Sequence, residues 1–254
     1  MDVDFGKTAA DYARFRAGFP DAFFARLAAF GVGVAGQHVL DLGTGTGTVA
    51  RGFARRGCRV TGLDRSPTLL AEARRLDREA GVDVDYVVAL AEATAFRAAT
   101  FDVVAAGQCW HWFDRRRAVG EARRLLERRG TLVIAHFDWI PLPGNALEAT
   151  EALIVQHNAE WKGAGSVGVY PRLLRELGIA GFEGIESFSF DVAVPYTHEA
   201  WRGRVRASAG VGASMAPDRV ARFDAELATL LRDRFPEEPL ELPHRVFAVI
   251  GRAP

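Results

Sequence analysis

The residues most able to do chemistry surround a Gly-rich segment in the first third of the chain. Residues 39–48 read VLDLGTGTGT, with a glycine at every second position from Gly43 to Gly47. Glycine accepts positive φ angles and lets a ligand come close to the backbone. Asp41 lies just before the first glycine, and Asp64 follows it by about twenty residues. Two carboxylates beside a small-residue turn therefore form the first candidate binding site.

These two charges indicate which ligand the turn would accept. A carboxylate at Asp41 would repel the pyrophosphate of a dinucleotide, and the GxGxG spacing differs from the dinucleotide pattern GxGxxG. S-adenosylmethionine has no phosphate and carries an ammonium and a sulfonium group, so an acidic rim suits it. Asp64 can accept two hydrogen bonds from a ribose diol, as any adenosine ligand offers. The pattern favours S-adenosylmethionine over NAD, and a tight turn that simply needs small residues is the structural alternative.

The elements that position these residues alternate between strand and helix. Strands are predicted at 37–42 and 58–64, and helices at 47–57 and 66–80, the second capped by Ser66 with Pro67 as its first residue. Three more strands are predicted near 82–90, 101–107 and 131–137, with a helix over 115–128 that stops at Gly130. The fold class expected is α/β, a Rossmann-like, doubly wound and mostly parallel sheet whose ligand site lies at the carboxyl ends of the strands.

The flanking regions predict helical additions to this sheet. Residues 8–30 indicate two short helices divided at Phe19-Pro20, the first with Thr8 and Asp11 at the spacing of a capping box. The remaining predictions are helices at 145–162, 171–178, 197–209 and 217–234, a loop at 163–168, and strands at 184–194 and 244–251. We interpret the chain as a single domain over 1–254, with an N-terminal helical cap (1–35), a cofactor-binding core (36–137), and a part that completes the sheet and supplies acceptor-binding lid elements (138–254).

Composition narrows the class of protein. Acidic and basic residues balance at 32 each, which argues against a broadly basic nucleic-acid-binding face. The two cysteines have no CxxC or Cys/His spacing, so we expect neither a disulfide framework nor a metal site. The sequence lacks an apolar signal segment and a membrane-spanning run. We expect a cytoplasmic protein with no membrane partner. The predominance of Arg over Lys is typical of high-GC bacterial coding sequences. The sequence does not predict the oligomeric state.

Three motifs in order resemble the class I methyltransferases of the type 11 group: VLDLGTGTG, VTGLD, and AEATAF followed four residues later by FDVV. The resemblance covers roughly residues 5–137. It implies that the glycine loop passes under the methionine and ribose of S-adenosylmethionine, that Asp64 holds the ribose hydroxyls, and that the segment Leu90-Ala91-Glu92 faces the adenine. The implied cofactor-binding residues in this part of the chain are Asp41, Gly43, Thr44, Gly45, Asp64, Arg65, Ala91 and Glu92. Many relatives have Asp where this chain has Leu90, so Glu92 is the remaining side-chain candidate there, or else a structural carboxylate.

The segment GQCWHWFD at 107–114 resembles the HWFD variety of this group, which includes enzymes similar to trans-aconitate methyltransferase. The N-terminal YARFR at 12–16 matches the entry segment of the same variety. The resemblance implies that Tyr12 and Arg16 close over the methionine end of the cofactor and that Gln108 offers its backbone carbonyl to the ammonium group. An entry helix that only packs its aromatic residues on the core is the alternative.

Methyl transfer is an in-line displacement in which the protein mainly aligns the acceptor and excludes water. A base is needed only if the acceptor must lose a proton. His111 follows the strand whose tip faces the methyl group, so it is our catalytic candidate; it could instead form the edge of a lid with Trp112. Candidate substrate-binding residues are Trp110, Trp139, Trp161 and Tyr170, each of which could equally be a packing residue.

The function expected is S-adenosylmethionine-dependent methyl transfer to a small-molecule acceptor, with the methylated atom (oxygen, nitrogen, carbon or carboxylate) unresolved. Two alternatives stay open: a non-methylating cyclisation or rearrangement on a cofactor-binding fold, and methylation of a macromolecule. An NAD-dependent oxidoreductase is disfavoured by Asp41 and by the glycine spacing.

Overall fold

The computed structural model describes residues 14–254, so the expected Thr8–Asp11 cap and Tyr12 lie outside the described residues. Its strands are β1 (His38–Leu42), β2 (Arg59–Asp64), β3 (Asp85–Val88), β4 (Phe101–Gly107), β5 (Leu126–Trp139), β6 (Glu183–Tyr196) and β7 (Leu240–Arg252). Its helices are α1 (Asp21–Ala29), α2 (Thr48–Ala54), α3 (Pro67–Ala80), α4 (Arg115–Leu125), α5 (Ala146–His157), α6 (Arg172–Ile179), α7 (His198–Arg206) and α8 (Pro217–Arg234).

The strands form one seven-stranded sheet in the order β3-β2-β1-β4-β5-β7-β6. The first five strands of that order pair in parallel; Val39, for example, lies opposite Val60 on one side and Val103 on the other. Helix α2 joins β1 to β2, α3 joins β2 to β3, and α4 joins β4 to β5, whereas residues 89–100 connect β3 to β4 without a helix. The chain order reverses at β1, so the carboxyl ends of β1 and β4 flank the crevice where this type of sheet binds ligands. The expected mostly parallel Rossmann-like fold is confirmed.

Helix α3 shows how local sequence sets these elements. The Ser66 hydroxyl accepts a hydrogen bond from the Leu69 amide at 3.4 Å, and Pro67 occupies the first helical position, as expected. Gly81 adopts φ 64° and ends the helix. Leu69, Leu70 and Ala73 are buried on one face. The cap, the stop and the apolar face together fix the helix that follows Asp64.

Several boundaries differ from the sequence predictions, and two of them show the physical reason. The helix expected over 115–128 ends at Leu125, because Leu126 turns extended and lies opposite Phe101 in the sheet. A bulge follows between that pair and the pairing of Val103 with Thr131, and Arg129 adopts φ 64° within it. The strand expected at 82–90 is only Asp85–Val88, because it is an edge strand that pairs on one side with the end of β2. Tertiary pairing decides both ends.

The chain divides into two compact units, one of residues 18–137, 170–190 and 246–254 (unit 2) and one of residues 1–17, 138–169 and 191–245 (unit 1). The core of unit 2 includes Leu40, Val104, Ile134 and Phe247. The core of unit 1 includes Trp201 and Phe223. Within residues 14–254, the helices all fall short of the length and apolar character that a membrane span requires.

Candidate active site

The glycine turn between β1 and α2 has three glycines in three different surroundings, all with positive φ. A Cβ at Gly43 would lie 2.9 Å from the side chains of Cys109 and Phe113, so this glycine allows close packing of the 107–114 segment. A Cβ at Gly47 would lie 2.3 Å from the Tyr86 hydroxyl. A Cβ at Gly45 would meet no atom of residues 14–254 within 4 Å, although Gly45 itself is buried. The described residues therefore leave space beside Gly45 in which a ligand can approach the backbone.

Asp64 lies at the carboxyl end of β2 beside that space. Its Oδ2 accepts a hydrogen bond from the Gly45 amide at 2.9 Å, and its Oδ1 accepts one from the Ser66 amide at 2.8 Å. The residue is 8% exposed. A carboxylate offers about four acceptor sites, so each oxygen keeps capacity for one further donor. This arrangement fits a vicinal diol, whose two hydroxyls could each donate to one oxygen.

Asp41 lies at the tip of β1 and is almost fully buried. Its Oδ2 accepts hydrogen bonds from the Thr44 hydroxyl at 2.6 Å and the Ala50 amide at 3.1 Å. Burial raises the pKa of Asp41 to about 7, against the lowering effect of these two hydrogen bonds. The carboxylate thus holds the turn and the start of α2 from inside. A cationic ligand above the turn would favour its charged form.

The segment after β4 closes over the turn. Gln108 adopts φ 61°, and its side-chain amide donates to the Phe137 carbonyl, which fixes this residue between the ends of β4 and β5. The Cys109 thiol contacts the Leu42 carbonyl at 3.0 Å, so Cys109 packs against the end of β1. Glu92 accepts a hydrogen bond from the Asp114 amide at 2.9 Å. The Glu92 carboxylate therefore ties the segment after β3 to the 107–114 segment.

The aromatic residues of this segment divide into buried and exposed ones. Trp110 is 2% exposed and packs edge-on against Phe113, so it belongs to the core of unit 2. Trp112 is 48% exposed, and its ring lies 4.6 Å from the ring of His111, which is also exposed. Of the residues that sequence singled out here, His111 faces solvent and Trp110 faces the core.

Ring stacking brings His111 together with Tyr170. The His111 ring lies 5.8 Å from that of His136, at the end of β5, and the His136 ring stacks on Tyr170 at 3.9 Å. Tyr170 in turn meets Phe247 of β7 at 5.8 Å. His136 is 4% exposed, so the column runs from the surface at His111 into the core. His136, which links His111 to Tyr170, is not among the site residues predicted from the sequence.

The other site residues predicted from the sequence are divided between the two units. In unit 2, Arg65 is exposed after β2, Ala91 is buried, and Leu90 is 55% exposed. In unit 1, the Trp139 indole donates to Glu151 at 2.6 Å and the Arg204 guanidinium lies 4.8 Å from the Trp139 ring. Trp161 and Arg16 are half-buried there. Burial raises the pKa of Glu151. Glu151 also lines an open cleft of about 460 Å³.

No group of three or more His, Cys, Asp or Glu side chains within residues 14–254 has an arrangement that could hold a metal ion.

Arg51 of α2 is not among the site residues predicted from the sequence. It is buried, like its apolar neighbours Val49, Ala50 and Phe53. The position of this arginine between apolar residues on a short helix is the sequence feature that could have indicated its burial.

The central segment of the chain is similar to known methyltransferases in sequence. Residues 40–134 match the model of a methyltransferase domain, and this segment contains the glycine turn, Asp64 and the 107–114 segment. Demethylmenaquinone methyltransferase of Thermus thermophilus is 34% identical over 140 residues, which cover 53% of this chain and 63% of the relative. The chain thus spans less than two thirds of the length of the curated relatives considered.

Solved structures share the fold over nearly the whole chain. A candidate type II methyltransferase from Anaeromyxobacter dehalogenans has a TM-score of 0.63 and 24% identity, and the alignment covers 94% of this chain and 97% of the other. The phosphoethanolamine N-methyltransferase 2 of Haemonchus contortus, solved with phosphomonomethylethanolamine and S-adenosylhomocysteine, has a TM-score of 0.58 and 21% identity, with coverage of 99% and 60%. Residues 40–134 therefore resemble a methyltransferase domain in sequence, and the chain shares its fold with these solved structures.

Proposed function

We propose that this protein is an S-adenosylmethionine-dependent methyltransferase that acts on a small-molecule acceptor. The space that residues 14–254 leave at Gly45, beside the Asp64 carboxylate, carries the proposal, because an adenosine ligand needs close backbone approach and a diol acceptor at the same place. The methyltransferase-domain match over residues 40–134 supports it. We treat residues 1–254 as one functional domain that acts in the cytoplasm.

The cofactor residues have distinct roles in this proposal. Asp64 accepts the ribose hydroxyls, and Gly43, Thr44 and Gly45 border the methionine and ribose. Asp41 supplies buried negative charge near the ammonium and sulfonium groups. Ala91 and Glu92 border the adenine, Gln108 offers its carbonyl to the ammonium group, and Arg65 lies at the rim. The roles of Tyr12 and Arg16 at the methionine end of the cofactor stay predictions from the family resemblance. S-adenosylmethionine supplies an activated methyl group when bound, so the protein has to align the acceptor and exclude water.

The acceptor side of the proposal rests on the 107–114 segment. His111 would take a proton from an acceptor that must lose one, and the stacked His136 and Tyr170 rings would orient it. Trp110, Trp139, Trp161 and Tyr170 remain the proposed acceptor-binding residues, although burial limits Trp110 to shaping the site from within the core. The HWFD resemblance favours a carboxylate acceptor, and the name of the Thermus relative favours a quinol; both are small molecules.

Calorimetric titration of the purified protein with S-adenosylhomocysteine tests the cofactor, with NAD as the control ligand. We expect micromolar binding of the first and no heat from the second. NAD binding without S-adenosylhomocysteine binding would overturn the assignment, because it would mean that the turn accepts a pyrophosphate beside Asp41.

Incubation with methyl-labelled S-adenosylmethionine and a panel of polycarboxylates, quinols and amines tests the reaction. We expect label in one acceptor and an equal amount of S-adenosylhomocysteine. Conversion of an acceptor without either product would instead identify a non-methylating reaction, and label transferred only to added protein or RNA would identify a macromolecular methyltransferase.

A further inference from the structure

Three polar side chains lie beneath the glycine turn and belong to none of the roles assigned above: Arg51 of α2, Asp77 of α3 and Tyr86 of β3. Arg51 is 9% exposed and Asp77 is 4% exposed. Charged side chains are seldom this buried unless they are paired. We therefore describe which groups these three side chains contact.

The three side chains form one connected network. Arg51 Nε lies 2.8 Å from Asp77 Oδ1, and the Tyr86 hydroxyl donates to Asp77 Oδ2 at 2.7 Å. The Tyr86 ring also lies against β2, since a Cβ at Gly62 would be 2.6 Å from it. Asp77 Oδ1 thus makes an ion-pair contact and Asp77 Oδ2 accepts a hydrogen bond, so the network joins α2, α3 and β3.

This network reaches the glycine turn at two points. Arg51 Nη2 donates to the Thr46 carbonyl at 2.8 Å, and Thr46 directly precedes Gly47. Gly47 has φ 79°, and a Cβ there would lie 2.3 Å from the Tyr86 hydroxyl and 3.2 Å from Arg51 Nη2. The backbone of the turn therefore rests on the network without an intervening side chain.

The opposite side of the same turn faces the proposed ligand. There the Thr44 amide donates to the Leu63 carbonyl at 2.9 Å and the Gly45 amide donates to Asp64 at 2.9 Å. Arg51 thus contacts the turn through the Thr46 carbonyl, whereas Leu63 and Asp64 at the end of β2 accept hydrogen bonds from the Thr44 and Gly45 amides. A shift of the Thr46 carbonyl would move Gly45 away from Asp64.

Stability alone is a weak reason for such a network. A buried ion pair contributes little or nothing relative to well-packed apolar residues of similar volume, because both charges must be desolvated. Apolar side chains could not, however, hold the Thr46 carbonyl. We propose that Arg51, Asp77 and Tyr86 are positioning residues that fix the glycine turn in its ligand-accepting conformation. This proposal rests on the proposed cofactor function.

Binding measurements on two variants test it. Tyr86→Phe removes one hydroxyl and keeps the ring, and Arg51→Met removes the donor to Thr46. We expect S-adenosylhomocysteine to bind several-fold more weakly to the first and about tenfold or more weakly to the second, because a charged hydrogen bond to the turn is lost. The matched control is Arg56→Met, because Arg56 donates to the Gly52 carbonyl at 2.9 Å and makes no contact with Thr46 or Gly47. This control should not change the affinity.

Hydrogen–deuterium exchange of the ligand-free proteins gives a readout that does not depend on the cofactor. We expect faster exchange in peptides over 43–52 for Tyr86→Phe and Arg51→Met, with β4 (101–107) unchanged. Unchanged affinity and unchanged exchange over 43–52, together with a lower urea midpoint, would overturn the proposal and leave a purely stabilising ion pair. If the native protein fails to bind S-adenosylhomocysteine, the proposed function fails, and the exchange data still decide whether the network holds the turn.

Discussion

The Gly45 amide donates a hydrogen bond of 2.9 Å to the Asp64 carboxylate. This bond joins the turn after β1 to the carboxyl end of the neighbouring strand β2, and Ser66 completes the hold on the carboxylate from the other side. The Asp64 side chain is therefore fixed before any ligand arrives. A preorganised acceptor loses little side-chain freedom on binding, which favours affinity.

Replacing Asp64 by Ala should weaken S-adenosylhomocysteine binding by roughly 1.5–3 kcal/mol, since the charged hydrogen bonds to the ribose diol are lost. Calorimetry measures this difference. The matched control is Asp102→Ala, which removes a carboxylate that accepts a backbone hydrogen bond from His38 at 2.7 Å. That residue lies at the start of β4, at the opposite end of the sheet. Equal affinity of the Asp64 variant and the native protein would show that the diol binds elsewhere.

Gly45→Ala and Gly31→Ala form a matched pair. Both glycines have positive φ, 57° and 73°, and a Cβ at either would meet no atom of residues 14–254 within 4 Å. Each substitution should lower the free energy of unfolding by about 1–2 kcal/mol through backbone strain. Only the Gly45 variant should lose S-adenosylhomocysteine affinity, because its methyl group would occupy the proposed ligand space. Urea unfolding and calorimetry on both variants check this; tight binding to Gly45→Ala would place the ligand elsewhere.

The raised pKa of Asp41 predicts a pH dependence of stability. With a pKa of about 7 when folded and about 3.8 when unfolded, this group binds its proton more tightly in the folded state. Its contribution is therefore fully present below about pH 4 and is lost as the pH rises towards 7, with a slope of at most about 1.4 kcal/mol per pH unit. Urea midpoints between pH 4 and pH 8 measure this trend.

Asp41→Asn isolates the contribution because it keeps an oxygen that can accept from Thr44 and Ala50. The variant should lack this part of the slope and should equal or exceed the native stability at pH 8. It should also bind S-adenosylmethionine more weakly relative to S-adenosylhomocysteine, because only the former carries the sulfonium charge. Identical pH slopes in both proteins would contradict the raised pKa.

His111→Gln tests the proposed base. For an acceptor that must lose a proton, the transfer rate should fall by about a hundredfold or more, with unchanged S-adenosylhomocysteine affinity. The control is His38→Gln at the start of β1, where the ring contacts the Thr100 carbonyl. A native rate in the His111 variant would assign this ring to the lid edge instead of to proton transfer.

Much of the fold could be predicted because local signals and tertiary pairing agree. The limits of β4 and α8 and the Ser66 cap match the sequence predictions, since apolar pattern, cap residue and pairing coincide there. The end of α4 was wrong because a helical pattern continued into residues that the sheet recruits. Helix periodicity carries no information on a strand partner distant in sequence.

The candidate site was predictable at the glycine turn and much less so around it. Glycine spacing and strand ends placed Asp41, Gly45 and Asp64 in one turn region, as their hydrogen bonds show. The stacking of His136 between His111 and Tyr170 joins three distant parts of the chain, so no local pattern contains it. Likewise, Arg51 in a helix gives no indication that Asp77 and Tyr86 will meet it.

The division of the chain has a consequence for any attempt to cut it down. The backbone passes between the two units at residues 17/18, 137/138, 169/170, 190/191 and 245/246. A fragment ending at residue 137 would keep the methyltransferase-domain match but lose Leu173, Phe182, Phe247 and Val249 from the core of unit 2. The smallest fragment that keeps the whole core of unit 2 is therefore not the contiguous stretch that matches the methyltransferase-domain model, and shortened variants should retain residues 246–254.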